Sequence, residues 1–366
     1  MKQNKVEHGA NLFDLAKLKN KDISEFVDFS SNISPYGMSQ KALETLKNNL
    51  DKASIYPDPA YTDLRAAISS YCGANKDNIM IGAGATFFIN SFIKLLSPKK
   101  CIIFDPSYSE YKKELEKVDC EVFNYELKEE TEFKVDLDEL RDLAVKNKID
   151  TIFLCNPNNP TGSTITRQQI DGLQKSTGAS LIVDETYVEF TDKAVYSSCV
   201  VADKNPNVYV IRSTSKFFAT PGIRLGYAIS SNEEVKQKMV QEFSALWGVN
   251  IYAEIIGREM FLDKTFHKFV YEKFKEQRKY LIESLRNIKG IKPFDTKGNF
   301  TLIKIENDKV TAKDLYEFFL DKDIIIRDCS NFINLGEKYF RLCFLDEKNN
   351  KKIIKYLTEF FGSIAW

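Results

Sequence analysis

The sequence predicts an α/β protein in which a large, mostly parallel mixed sheet flanked by helices is followed by a smaller α+β domain. Three observations predict it. Short apolar runs alternate with longer amphipathic stretches through the middle of the chain, the pattern of strands joined by crossover helices. Those runs are apolar on both faces, as strands in a sheet covered from both sides must be. Beyond Gly248 the pattern changes to a long helical region rich in Lys, Glu and aromatic residues, followed by a second set of strand-like runs.

Taken in order, NIMIG (78–82) reads as a strand and meets GATFFINSFIKLL, whose apolar residues have helical spacing. CIIFDP (101–106), TIFLCNP (151–157), SLIVDE (180–185), VYVIRS (208–213) and LGYAIS (225–230) are the next strands. The helical region covers about 251–288. FTLIKI (300–305), DIIIRD (323–328) and YFRLCFL (339–345) then form a smaller sheet, closed by a helix at about 347–361. With 366 residues, more than one average domain is expected. The reading is an arm at 1–34, a large domain at 35–245 and a small domain at 246–366.

Composition narrows the function classes. Lys+Arg and Asp+Glu balance at 52 each, so no basic excess drives binding to nucleic acid. Seven cysteines are scattered without a CxxC, several inside apolar runs, which fits reduced thiols in the cytoplasm. The N-terminus MKQNKVEHGANLFDL lacks the apolar core of a secretory signal, and no apolar run reaches membrane-spanning length. A soluble cytoplasmic protein with neither nucleic-acid nor membrane partners is expected. His8 and His267 stand far apart without metal-ligand spacing, so no metal site is expected. A G-x-S-x-G elbow is absent, which removes the common hydrolase triad.

Several motifs fall just past the C-terminal ends of the expected strands, where open α/β sheets bind ligands. GAGAT (82–86) joins a strand to a helix, but Phe87 stands where a dinucleotide fingerprint needs its third glycine. Taken alone it is a tight turn or a phosphate cradle made of the Ala85 and Thr86 amides. LIVDET (181–186) resembles the acidic strand of an ATPase, yet no G-x-x-x-x-G-K-[ST] accompanies it. Asp184 at the end of a buried strand therefore needs a cationic partner of another kind. NPNNPTG (156–162) is a rigid loop that brings Asn159 to the same edge. DPSYSEY (105–111) places Tyr108 where its ring can stack on a planar ligand. In RSTSKFFATPGIRLGY (212–227), Lys216 sits among hydroxyls and aromatic rings, eight residues before Arg224.

One ligand answers all of these demands: pyridoxal 5′-phosphate, which is planar, carries a phosphate and a basic ring nitrogen, and has an aldehyde that captures lysine. Lys216 would hold it as a Schiff base, and Asp184 would keep the ring nitrogen protonated. Ser213, Ser215, Arg224 and the amides of Ala85 and Thr86 would hold the phosphate.

The series YPDPAY (56–61), GAGAT, DPSY, NPNNPTG, VDETY, STSK and PGIRLGY, spread over nearly the whole chain, resembles the class I/II aminotransferase superfamily of fold type I pyridoxal-phosphate enzymes. By that resemblance Lys216, Asp184 and Tyr187 are catalytic. Asn159 and Tyr187 lie on the phenolic oxygen, Tyr108 is the stacking ring and Arg224 a phosphate ligand. Tyr56 reaches the phosphate of a neighbouring subunit, which implies a homodimer with shared sites. Arg341 in YFRLCF binds the substrate carboxylate.

Two subgroups share features with the chain. SSNISPYG and the general body resemble histidinol-phosphate aminotransferase. HGANLFDL and IIIRDCSNF (324–332) resemble L-threonine-O-3-phosphate decarboxylase of cobalamin synthesis, which implies that His8 and Arg327 meet a substrate phosphate with Asn32 nearby. The chain departs from these patterns in reading HGA for HGG, in carrying Phe87 where relatives have Glu, and in lacking Pro-Gly after CSNF. The expected activity, through an external aldimine, is decarboxylation of threonine phosphate to aminopropanol phosphate. The alternative is amino transfer between histidinol phosphate and 2-oxoglutarate. A non-catalytic, cofactor-binding regulator is a remote third, since no helix-turn-helix extension is present.

Overall fold

A computed structural model describes residues 11–243 and 247–364; His8 lies outside them. Strand β1 (Val27–Asp28) pairs apart from the main sheets. The large sheet holds β2 (Ile79–Gly82), β3 (Lys100–Asp105), β4 (Glu121–Glu126), β5 (Thr151–Cys155), β6 (Ser180–Asp184), β7 (Val208–Ser213) and β8 (Gly226–Ile229). Their spatial order is β2-β8-β7-β6-β5-β3-β4. From β7 to β4 every pairing is parallel, and β8 is antiparallel to both its neighbours.

The apolar runs account for this order. Strands β5 and β7 are buried along their whole length, as central strands covered by helices on both faces must be. The sequence reading passes over β4, because Glu121, Asn124 and Glu126 interrupt its apolar residues. That polarity suits an edge strand, whose outer side faces water. Strand β8 reverses because the segment carrying Lys216 and Arg224 has no crossover helix. It turns back at the same edge of the sheet, and Ser213 and Gly82 both pair with Gly226.

The small sheet contains β9 (Ile291–Pro293), β10 (Phe300–Ile305), β12 (Arg327–Asp328) and β13 (Tyr339–Cys343), in the antiparallel order β12-β13-β10-β9. The single strand expected over DIIIRD is divided at Ile326. Its first half, β11 (Ile324–Ile325), pairs with β1, and its second half is β12. The Val27–Asp28 segment is therefore tied to the strand that leads into the small sheet. Ala16, Phe26 and Ile325 form a small apolar cluster, and Lys21 bridges Asp323 at 2.5 Å. The chain then runs back to the large sheet, where the Ser34 amide donates to the Lys216 carbonyl.

The expected helical region over 251–288 is two helices, Ile251–Leu262 and Lys264–Arg286. The first packs on Thr62–Cys72 and Gln40–Lys47, and the second reaches β9 and the C-terminal helix Glu347–Gly362. Among the described residues no helix is long and apolar enough to cross a membrane.

Backbone contact at the edge of the large sheet is close. A Cβ on Gly226 would stand 2.6 Å from the Gly84 carbonyl carbon and 2.7 Å from its Cα. Both obstacles are main chain, so neither can rotate away. Gly226→Ala is expected to destabilise the protein by about 1–3 kcal/mol, read as a lower urea midpoint at constant slope. An unchanged midpoint would mean that this approach is looser than described.

Candidate active site

The C-terminal ends of β3, β5, β6 and β7 and the start of β8 meet the small sheet across a cleft of about 260 Å³. Asp184, the last residue of β6, is buried there. Its Oδ1 accepts from the Thr186 amide at 2.9 Å and the Thr186 hydroxyl at 2.5 Å, and its Oδ2 accepts from the Tyr111 hydroxyl at 2.8 Å. Burial pushes this carboxyl above the usual carboxylate range, while those bonds and the Lys216 charge pull the other way.

Lys216 follows β7 and faces the same cleft, its Nζ 2.8 Å from the Ser31 carbonyl. Burial first, and then the positive charge of Arg341, bring its amine down to about 8. That lies well below an ordinary lysine and makes the neutral, nucleophilic form accessible. Tyr187 accepts a hydrogen bond from Asn32 Nδ2 at 3.3 Å, and burial pushes its hydroxyl up to about 12. Asn159 Oδ1 accepts from Arg341 Nη1, so the carbonyl end of this amide is committed and its NH₂ end is left to donate. Tyr108 meets Tyr111 edge to face at 5.4 Å.

At the other end of the cleft the helix Ala85–Leu96 begins without a side-chain cap. Gly84 precedes it at φ 86°, a left-handed conformation that favours glycine. Ser213 donates to the Ser215 hydroxyl at 2.9 Å. Arg224 leans over the turn, its Nη2 3.4 Å from the Ala83 carbonyl. Amides at a helix N-terminus, two hydroxyls and a guanidinium make this end suited to a phosphate.

The small sheet supplies the opposite wall. Arg327 and Arg341 are directly paired in the β12–β13 register, and both line the cleft. Arg341 is buried; its Nη2 donates to the Ser30 carbonyl at 2.6 Å and its Nε has no partner among the described residues. Arg327 donates to Asn331 at 2.8 Å and lies over the Phe332 ring.

One expected residue stands apart. Tyr56 is exposed, packs on Trp247 at 5.0 Å, and lines a separate surface groove with Pro57 and Tyr252. His8 lies outside the described residues. Sequence reading missed Tyr111 and Thr186, the protein partners of Asp184, and Ser31, the contact of Lys216. All three lie inside or beside quoted motifs, three residues after Tyr108, two after Asp184 and one before Asn32. Nothing in their residue types distinguishes them from ordinary loop positions.

The sequence profile of the family described as "Aminotransferase class I and II" matches residues 24–357. The chain belongs to this family. Its members are pyridoxal-phosphate-dependent enzymes. The chain is 34% identical over 97% of its length to a protein of Caldanaerobacter subterraneus subsp. tengcongensis provisionally named threonine-phosphate decarboxylase, covering 94% of it. Identity is 28% with the threonine-phosphate decarboxylase of Salmonella typhimurium, over 98% of this chain and 97% of that one. The histidinol-phosphate aminotransferase of Clostridium acetobutylicum superposes with a TM-score of 0.85 at 31% identity, over 92% of this chain and 100% of that one.

The cleft fits the family's cofactor by its own chemistry. It combines a lysine of lowered basicity, a buried carboxylate fixed by three donors, an uncapped helix start and an orphaned Arg341 Nε in one cavity. The amine value sets a pH dependence. Lys216 attacks only when neutral, so covalent capture of added pyridoxal phosphate by the apoprotein is expected to quicken as pH rises through about 8 and to slow below it. Stopped-flow absorbance checks this. Lys216→Ala should give no borohydride-sensitive band at any pH.

Proposed function

We propose that the protein decarboxylates a phosphorylated amino acid, threonine phosphate, releasing CO₂ and aminopropanol phosphate in the cytoplasm. The observation that carries this reading is the Arg327–Arg341 pair on the wall facing Lys216. A ligand bearing both a carboxylate and a phosphate matches two guanidiniums on one wall of the cleft. The full-length relatives named for threonine phosphate support the same choice.

In this reading the residues divide the work. The amides of Ala85 and Thr86, the hydroxyls of Ser213 and Ser215, and Arg224 hold the cofactor phosphate. Asp184, positioned by Tyr111 and Thr186, keeps a proton on the ring nitrogen. Asn159 and Tyr187 donate to the phenolic oxygen, and the Tyr108 ring covers one face. When bound, pyridoxal phosphate withdraws electrons from the substrate's α-carbon. Lys216 would carry the covalent link and move the proton at that carbon. Arg341 binds the substrate carboxylate and Arg327 its phosphate, joined by His8, with Asn32 alongside. Anchoring both anions would fix how the substrate's α-carbon is presented to Lys216, and so which of its bonds breaks. Tyr56, facing outward, reaches the phosphate of a second copy in a homodimer.

Amino transfer from histidinol phosphate is the second reading, favoured by the likeness to the Clostridium acetobutylicum enzyme. Holoenzyme given threonine phosphate alone is expected to release CO₂ without 2-oxoglutarate. Arg327→Ala should raise KM for threonine phosphate by about 10–100-fold through loss of charge-assisted hydrogen bonds. No CO₂ release, together with 2-oxoglutarate-dependent amino transfer from histidinol phosphate, would overturn the proposal in favour of the second reading.

A further inference from the structure

On the face of the large sheet opposite the cleft lies a second cluster of reactive groups. Arg212, one residue before Ser213 on β7, is fully buried there. Its Nε donates to Glu185 at 2.9 Å, its Nη1 to Glu189 at 2.6 Å, and its Nη2 to the Ser197 hydroxyl at 2.7 Å and to Cys199 Sγ at 3.2 Å. Cys199 opens a short helix, Cys199–Ala202, and Cys72 closes the helix Thr62–Cys72. These two ends are packed together. A Cβ on Gly73 would lie 3.7 Å from Val200 Cγ1, and the Asn75 amide donates to Asp203 Oδ1 at 2.8 Å. The chain neighbours of the two cysteines thus touch, each thiol influences the other's ionisation, and Cys199 S–H donates to Glu185 Oε2 at 3.9 Å.

We propose that Cys72 and Cys199 are a thiol pair that hydroperoxides oxidise to a disulfide, with Cys72 as the attacking sulfur and Cys199 as the resolving one.

The division of roles follows from the surroundings. Cys72 is partly exposed, whereas Cys199 is sealed from solvent, so a small oxidant reaches Cys72 first. Proximity to Cys199, the Ala74 amide and the Arg212 charge favour its thiolate against burial and the Glu185 charge, bringing the thiol down to about 7. Burial pushes Cys199 well above the usual thiol range, which keeps it protonated until it is needed. In the first step the Cys72 sulfur forms a bond to the outer oxygen of ROOH, the O–O bond breaks, and RO⁻ takes a proton to leave as ROH. In the second step the Cys199 sulfur attacks the resulting sulfenic acid. An S–S bond forms, and hydroxide leaves with the Cys199 proton as water. Two thiols lose two electrons and the peroxide gains them.

The chain contains an internal comparison. Cys101 and Cys120 also influence each other's ionisation, Cys120 being the more exposed. Around Cys120 the charged neighbours Asp150 and Glu121 both oppose a thiolate, whereas Cys72 has Arg212 favouring one and Glu185 opposing it. Peroxide should therefore select Cys72 over Cys120.

The test treats holoenzyme with a few equivalents of hydrogen peroxide, blocks the remaining thiols, and maps non-reduced peptides by mass spectrometry. The expected product links the Cys72 and Cys199 peptides and is undone by dithiothreitol. Peroxide consumption should fall about tenfold in Cys72→Ser, while Cys199→Ser should still react and leave a Cys72 sulfenic acid that dimedone traps. A linkage through Cys120 in place of Cys72, the absence of any Cys72–Cys199 link, or an unchanged rate in Cys72→Ser would each overturn the proposal.

Discussion

The buried Arg212 organises the site from behind. Strand residues alternate between faces, so Ser213 and Asp184 address the cleft while Arg212 and Glu185, their immediate neighbours, point to the other side of the sheet. The ion pairs of Arg212 with Glu185 and Glu189 are almost fully removed from water. Removing one partner of such a network leaves an uncompensated charge, at a cost of about 3–5 kcal/mol. The β6–β7 edge is thus fixed in register by charges that never touch the cleft, and the Glu185 amide adds a hydrogen bond to the Ile211 carbonyl. The positions of Asp184 and Ser213 are inherited from that arrangement.

Much of the large sheet could be read from the sequence, because a central strand buried on both faces must be apolar throughout. The runs at 101–106, 151–157, 180–185 and 208–213 meet this requirement and became β3, β5, β6 and β7. Edge strands carry no such obligation, which is why β4 with its glutamates and the two-residue β1 escaped notice. The break at Ile326 was equally hidden. An apolar run states that its residues are buried, but not which of two sheets they join.

The site was readable to a similar depth. Lys216, Asp184 and Asn159 are conspicuous because a charge or an amide beside buried strands needs a reason to be there, whereas Arg341 is picked out only by the family resemblance. Tyr111 gave no such signal. Its place under Asp184 is set by the Glu110–Glu116 helix and by its stacking on Phe153 at 4.3 Å, a tertiary relation that no spacing along the chain encodes. The meeting of Arg327 with Arg341 depends in the same way on the pairing of β12 with β13.

The pairing of Val27 with Ile324 also has a temporal meaning. The N-terminal segment leaves the ribosome first, yet its partner strand is made almost 300 residues later. At about 5–20 residues per second, that is a wait of roughly 15–60 s. During this interval the large sheet can assemble before the β1–β11 pairing fixes the approach of Ser31 and Ser34 to Lys216. Completion of the pocket therefore waits for the small-sheet strands that carry Arg327 and Arg341.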